Sequence, residues 1–296
     1  MAAISVVIAA RDPQVSLRAC LEAVLEQSGG GEVEILVATN LPPGDLGWLG
    51  TQFAQVKVIH AAPHALTPEL WKAGYLSAKG ETIAFTNAIL VPLEGWLASI
   101  EAAFRKPIAA VGGPILEPAN GGSLIWALYL ARYSAYLPPG PSGPTRDLAG
   151  DNAAYRKSVL VQCQAEMRDG FWETLVHTRL LADGNTLIRE PKMQARLLSV
   201  ESLQETARQR FVHGRYYGST RPAGSLGRRI LRLVSSPLIP AVLFVRIARR
   251  VLSQRPEWFS RWLGAAPALL FLVSAWSLGE MFGYLNPRHV TTGDVR

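Results

Sequence analysis

The residues best suited to chemistry in this chain stand singly or in pairs, so each must be weighed with its neighbours. Glu173 lies in Gly170-Phe171-Trp172-Glu173-Thr174, where a helix is expected to begin. A helix start favours a carboxylate, which would stay ionised there unless buried. Asp169 offers a second carboxylate nearby. Thr39, Asn40 and Asn87 sit where apolar runs end and can hydrogen-bond a base or ribose, although the same residue types also close strand-end turns. Asp151 and Asn152 can orient a hydroxyl or cap the helix expected near Tyr155. Asp12, before Pro13, is either a ligand contact or a turn residue. Arg208, Arg210, His213 and Arg215, interleaved with aromatics, can grip an anion bidentately or face lipid.

Several other chemistries fall away. Cys20 and Cys163 are the only cysteines, too few for a disulfide framework or a zinc site. His60 and His64 are four apart, but Pro63 breaks any helix that would align them on a metal. The turn after the first apolar run reads Ala9-Ala10-Arg11-Asp12-Pro13 and lacks the glycines of a dinucleotide-binding loop.

These residues need a scaffold, and apolar periodicity supplies one. Strands are expected at Ile4–Ala10, Val33–Ala38, Val56–Ile59, Thr82–Thr86 and Ile108–Val111. Helices are expected after Ser16 (with Leu17, Leu21, Val24 and Leu25 on one face), over Pro68–Ala78 and over Glu94–Phe104. This alternation predicts an α/β fold with a mostly parallel sheet flanked by helices. A Gly- and Pro-rich section, 112–144, surrounds an aromatic helix at Leu124–Tyr136 and can shape or cover a site. A second αβ section runs over 151–191, and a helix over Ser202–Tyr217 closes the first domain, 1–220.

The formal net charge is +7. Between Arg221 and Trp262 stand nine arginines, no lysine and one acid, Glu257, so that stretch carries +8 and the remainder −1. A nucleic-acid binder is disfavoured, because its basicity would belong to the globular part. Arginines beside the apolar runs Leu233–Val245 and Leu263–Gly279 instead suit contact with anionic lipid. The second run is close to the ~20 residues a span needs, and the first, broken by Pro237 and Pro240, suits an interfacial helix. Region 221–296 is therefore expected to be membrane-associated. With no basic start before the first apolar run, the first domain is expected to be cytoplasmic.

The order of segments resembles family 2 glycosyltransferases. The resemblance rests on Ile4–Arg11 followed by Leu17–Gln27, on Glu34-Ile35-Leu36-Val37, and on Gly74 with Ala78–Thr86. Trp96-Leu97 and Gly150–Leu160 complete it, so it covers roughly residues 4–217. It implies a GT-A fold and inverting transfer of a sugar from a nucleoside-diphosphate donor to a hydroxyl. Counting back from Arg179 and Gly184, it places the catalytic base at Glu173, with Trp172 replacing the usual acidic neighbour and Asp169 in reserve. It puts Asp12, Thr39, Asn40 and Asn87 near the nucleotide, Asp151 and Asn152 near the acceptor, and Arg208, Arg210, His213 and Arg215 near the diphosphate.

The chain departs from the family at the metal. Its Asp-x-Asp would fall on Asn87-Ala88-Ile89, and Ala38-Thr39-Asn40 stands where acids usually follow the second strand. The resemblance therefore carries no Mg2+ or Mn2+ across, and no metal ligand is assigned. Two readings remain: a metal-independent transferase acting on a lipid-linked or polysaccharide precursor, or a silent homologue that binds such partners as a membrane scaffold.

Overall fold

The computed structural model describes residues 3–11, 15–29, 33–138, 140–221 and 226–286; Asp12 lies outside them. The chain forms two compact units, one of residues 1–119 and 136–199, the other of 120–135 and 200–296. The helix expected to close the first domain, after Ser202, belongs to the second unit.

The first unit opens with β1 (Ile4–Ala10), α1 (Val15–Ser28), β2 (Val33–Thr39), a short α2 (Gly47–Gln52) and β3 (Lys57–His60). It continues through α3 (Thr67–Ser77), β4 (Thr82–Asn87), β5 (Leu90–Pro92), α4 (Trp96–Phe104), β6 (Ala110–Gly112) and β7 (Ile115–Leu116). After α5 (Ser123–Tyr133), which belongs to the second unit, come β8 (Gly143–Thr145), β9 (Ala153–Arg156), α6 (Lys157–Leu160), α7 (Glu173–Ala182), β10 (Leu187–Arg189) and β11 (Ala195–Leu197).

The main sheet has the order β3-β2-β1-β4-β9-β6-β10-β8. Strands β1 to β4 pair in parallel, while β9 runs antiparallel between β4 and β6. Successive side chains of a strand point to opposite faces, and both faces of this sheet are covered. Val7 and Ala9 join Leu70, Trp71, Phe85 and Phe171 on one side. Val6 and Ile8 join Leu17, Leu21, Trp96 and Leu97 on the other. That double burial is why β1 reads as an unbroken apolar run. At Gly74 of α3 a β-carbon would lie 2.2 Å from Val7 Cγ1, so glycine lets that helix settle onto the strand.

Local departures from the sequence reading are small. The third strand starts one residue later, at Lys57, because its register is set by pairing with Leu36. Ser16 lies inside α1, which begins at Val15. The aromatic helix ends at Tyr133, three residues early. A second, small sheet, β5-β11-β7, was not foreseen; its strands are too short to show a period.

The second unit gathers α5 with α8 (Leu203–Thr220), α9 (Leu226–Ser235), α10 (Ile239–Gln254) and α11 (Phe259–Leu285). Ser202 caps α8, its Oγ accepting the Glu205 N–H. Helices α8 and α11 touch backbone to backbone through two Gly-x-x-x-Gly pairs. A β-carbon would stand 2.1 Å from the Trp276 oxygen at Gly214 and 2.3 Å from the Glu280 oxygen at Gly218. From the other side it would stand 1.9 Å from the Phe211 oxygen at Gly279 and 2.3 Å from the Arg215 oxygen at Gly283. Small residues at this spacing are what close helix approach requires. Two helical stretches, Ile230–Gln254 and Pro256–Leu285, are long and apolar enough to cross a membrane by length and composition alone. The first exceeds the thirteen apolar residues of the sequence reading because α10 continues helically through Arg246, Arg249 and Arg250.

Asn152 locks the first unit where β9 meets β4 and β6. Fully buried, it accepts from Trp96 Nε1 at 2.6 Å and donates to the carbonyls of Pro114 at 3.1 Å and Met193 at 2.8 Å. Replacing Asn152 by Ala leaves the Trp96 Nε1–H and the Met193 carbonyl unpaired, while the Pro114 carbonyl keeps its bond from the Ala195 N–H, and the expected loss is about 2 kcal/mol or more. Thermal unfolding followed by near-UV circular dichroism checks it; an unchanged midpoint would show that the three bonds contribute nothing net.

Candidate functional site

The strand order places a topological switch beside β1, since β2 and β3 extend one way and β4 the other. In open α/β sheets ligands bind outside the carboxyl ends of the strands at such a point. Ala9 pairs with Asn87 and Ala10 with Thr39, so both polar residues end their strands at this edge, about 10 Å apart across two strand spacings. Arg11, half-buried, follows β1 directly at the same edge.

The antiparallel β9 brings two more residues there. Phe85 pairs with Ala153 in the last rung of the β4–β9 ladder, so Asp151, two residues before Ala153, arrives beside Asn87. Asp151 is 4 % exposed. Glu173 is the first residue of α7, and its half-buried side chain lies flat across Gly150. A β-carbon at Gly150 would stand 3.2 Å from each of Glu173 Cβ, Cγ and Cδ. Burial pushes the Glu173 carboxyl above its ordinary range, and the charge of Asp151 pushes it further. Its own backbone N–H and the nearby His177 act the other way. Asp169 lies exposed before the helix, with its carbonyl accepting from Trp172 Nε1 at 3.2 Å.

Beneath Glu173 lies a polar chain that periodicity does not reveal. His177, 2 % exposed and one helical turn on, bonds Asp147 Oδ1 through Nδ1 at 2.7 Å and the Tyr155 hydroxyl through Nε2 at 2.7 Å. Tyr136 donates to Asp147 Oδ2 at 2.6 Å. Burial works against the Asp147 charge, yet the bonds from His177 and Tyr136 hold its carboxyl below the usual value. Burial, then the charge of Glu173, drives the Tyr155 hydroxyl well above its own. The chain thus ties α7, which carries Glu173, to the loop that carries Asp151. The i, i+4 spacing of Glu173 and His177 was the one signal of it in the sequence.

Other expected residues are committed elsewhere. Asn87 Oδ1 accepts the Ile89 N–H at 3.3 Å, Thr39 Oγ1 that of Leu41 at 3.1 Å, and Asn40 donates to the Ala65 carbonyl at 3.1 Å. The Thr39 and Asn87 bonds are strand-end turns of the kind weighed in the sequence, while Asn40 reaches a loop 25 residues on. Asn152 is occupied by its three structural bonds. His60 bonds the Leu41 carbonyl. In the second unit Arg208 pairs bidentately with Glu205, Arg210 lies 5.2 Å from the Trp276 ring centre, and His213 bonds the Gln209 carbonyl, while Arg215 is exposed.

Among the solved structures that match is a mannosyltransferase of Pyrobaculum calidifontis in complex with GDP-Man and Mn2+. The match has a TM-score of 0.57 at 12% sequence identity and covers 95% of this chain and 87% of that one. The two share a fold. No family model matches the sequence, and no curated protein matches it.

The neighbour's Mn2+ prompts a test of the residues after β4. Asn87 turns its oxygen to the Ile89 amide, and Ile89 has no side-chain donor atom. Among the described residues no group of three His, Cys, Asp or Glu could hold a metal. The Asn87-Ala88-Ile89 turn itself therefore supplies no carboxylate to a divalent ion.

A raised carboxyl pKa is a stability cost with a definite sign. The folded chain holds the Glu173 proton more tightly than the unfolded chain, so stability is lost as pH rises from the ordinary value, about 4, through the raised one. Glu173→Gln is therefore expected to raise the melting temperature at about pH 7, with the gain shrinking to nothing at or below about pH 4. A variant no more stable than the parent at neutral pH would show that burial imposes no such penalty.

Proposed function

We propose that this protein is a glycosyltransferase that moves a sugar from a nucleoside-diphosphate donor to a hydroxyl of its acceptor. The reading rests on one observation above the rest. Glu173, a carboxyl raised by burial and by Asp151, stands at the carboxyl edge of the sheet, in a fold shared with a sugar-nucleotide enzyme. A general base works best with a pKa near the working pH, and both effects move Glu173 that way. It would take the acceptor proton as the hydroxyl attacks the sugar carbon, with inversion, as in the GT-A enzymes of family 2 that the sequence resembles. Asp151 would orient that hydroxyl.

The departing diphosphate needs positive charge. With no carboxylate in the turn after β4, we assign that task to Arg11 at the sheet edge. Thr39, Asn40 and Asn87 would line the nucleoside side. The apolar, arginine-rich second unit supports a lipid-linked or polysaccharide precursor as acceptor, taken at the cytosolic face of a membrane.

The absent acids after β2 and β4 favour a second reading, in which the chain binds a sugar nucleotide without turning it over. A panel of sugar nucleotides, assayed for transfer and hydrolysis with and without Mn2+, separates the two. The transferase reading expects turnover of at least one donor without added metal and a loss of about a hundredfold or more for Glu173→Gln. It also expects an acidic limb in kcat/KM above the ordinary Glu value of about 4.3, moved to lower pH by Asp151→Asn, which removes the neighbouring charge. Binding without turnover across the panel would support the silent homologue.

A further inference from the structure

By length and composition α11 could cross a bilayer, yet its partners within the second unit argue against it. Its first half packs against α5: Gly264 abuts Ser123, and Trp258, just before α11, has its ring centre 5.3 and 5.8 Å from those of Trp126 and Tyr129. Its second half packs against α8 along the glycine pairs from Trp276 to Gly283. Both partners are short excursions from the first unit. The α5 segment leaves it at residue 119 and rejoins it at 136, and α8 follows directly from residue 199. Sixteen residues cannot cross a hydrocarbon core of about 30 Å and return, at about 1.5 Å per helical residue. The two ends of α11 are therefore held by helices rooted on one side of any membrane. A crossing α11 would also carry the neighbouring Glu205, Arg208 and Gln209 of α8 toward the bilayer centre, where charges are costly.

What α11 leaves bare is one stripe. Phe259, Leu263, Leu270, Leu278, Phe282 and Leu285 are each about half exposed and recur at intervals of three, four, seven or eight residues along its whole length. Val242, Val245 and Leu252 of α10 are likewise exposed, beside the exposed Arg246 and Arg249. From 226 to 286 there are eight arginines and two acids. An apolar stripe flanked by arginines complements a layer of anionic headgroups over acyl chains, with the arginine stems lying along the apolar surface.

We propose that the second unit is a monotopic anchor: α11 lies in the plane of an anionic membrane with this stripe in one leaflet, and neither long apolar stretch crosses. The proposal rests on the membrane reading above but not on the sugar chemistry, so it can fail while transferase activity stands.

The test is sidedness in the full chain, through Glu257→Cys and Asn286→Cys, which flank α11 at exposed positions. The native thiols of Cys20 and Cys163 are buried and pushed up to about 12, which keeps the background silent. A membrane-impermeant maleimide is applied to spheroplasts and to inside-out vesicles, with detergent-solubilised protein as the full-reaction control. Both cysteines reacting from the same side, and neither from the other, is the expected result; reaction from opposite sides overturns it. Flotation gives an independent measure. Vesicles containing phosphatidylglycerol should retain the protein, and Leu270→Glu with Leu278→Glu should lower the bound fraction about tenfold or more. A dimer that does not float, its stripe covered by a second copy, would overturn the proposal equally.

Discussion

The antiparallel course of β9 is the constraint on which the site depends. A parallel strand in that place would bring its own carboxyl end to the carboxyl edge of β1 and β4 and leave its leading residues at the opposite one. Running backwards between β4 and β6, β9 instead delivers the residues before it, Gly150, Asp151 and Asn152, to the ends of the parallel strands. Each then has a distinct task. Gly150 makes room for the Glu173 side chain, Asp151 sets its electrostatics, and Asn152 fixes the turn to Trp96, Pro114 and Met193. The carboxylate pair is held in place by hydrogen bonds that lie below it.

That arrangement makes the two acids interdependent. Burial alone would raise Glu173, but the neighbouring negative charge adds to the effect without a second group having to enter the reaction. Within the polar chain His177 opposes the shift and Asp147 adds to it, and the chain holds the geometry, since Asp147 and Tyr155 grip both imidazole nitrogens. A carboxyl whose proton affinity is raised in this way is poorly placed for stability and well placed for proton transfer, the pattern by which functional groups are recognised in folded proteins.

Much of the scaffold was legible because its signal is local. The runs Ile4–Ala10 and Thr82–Thr86, and the face Leu17-Leu21-Val24, are buried as their periodicity implied. Glu173 was chosen by counting from neighbours, and it stands at the first turn of α7, where a helix start was expected. The roles of Asn152 and His177 were not legible, because their partners stand 22 to 56 residues away and no period links them. Thr39 and Asn87 illustrate the opposite lesson: polar residues at strand ends bonded the backbone two residues on, as their types alone would suggest. The small second sheet escaped notice because strands of two or three residues carry no alternation.

The placement of α5 has a consequence for how the chain must be made and handled. Its apolar face, with Ile125, Trp126, Tyr129 and Leu130 buried, is closed by a helix that leaves the ribosome more than a hundred residues later. Until then the nascent chain displays a sticky aromatic surface, a period in which aggregation competes with folding. Cutting the chain near residue 200 to obtain a tail-free protein would make that temporary state permanent. A well-behaved shortened protein therefore requires resurfacing α5 at the same time, with polar residues replacing the aromatics that its lost partner once covered.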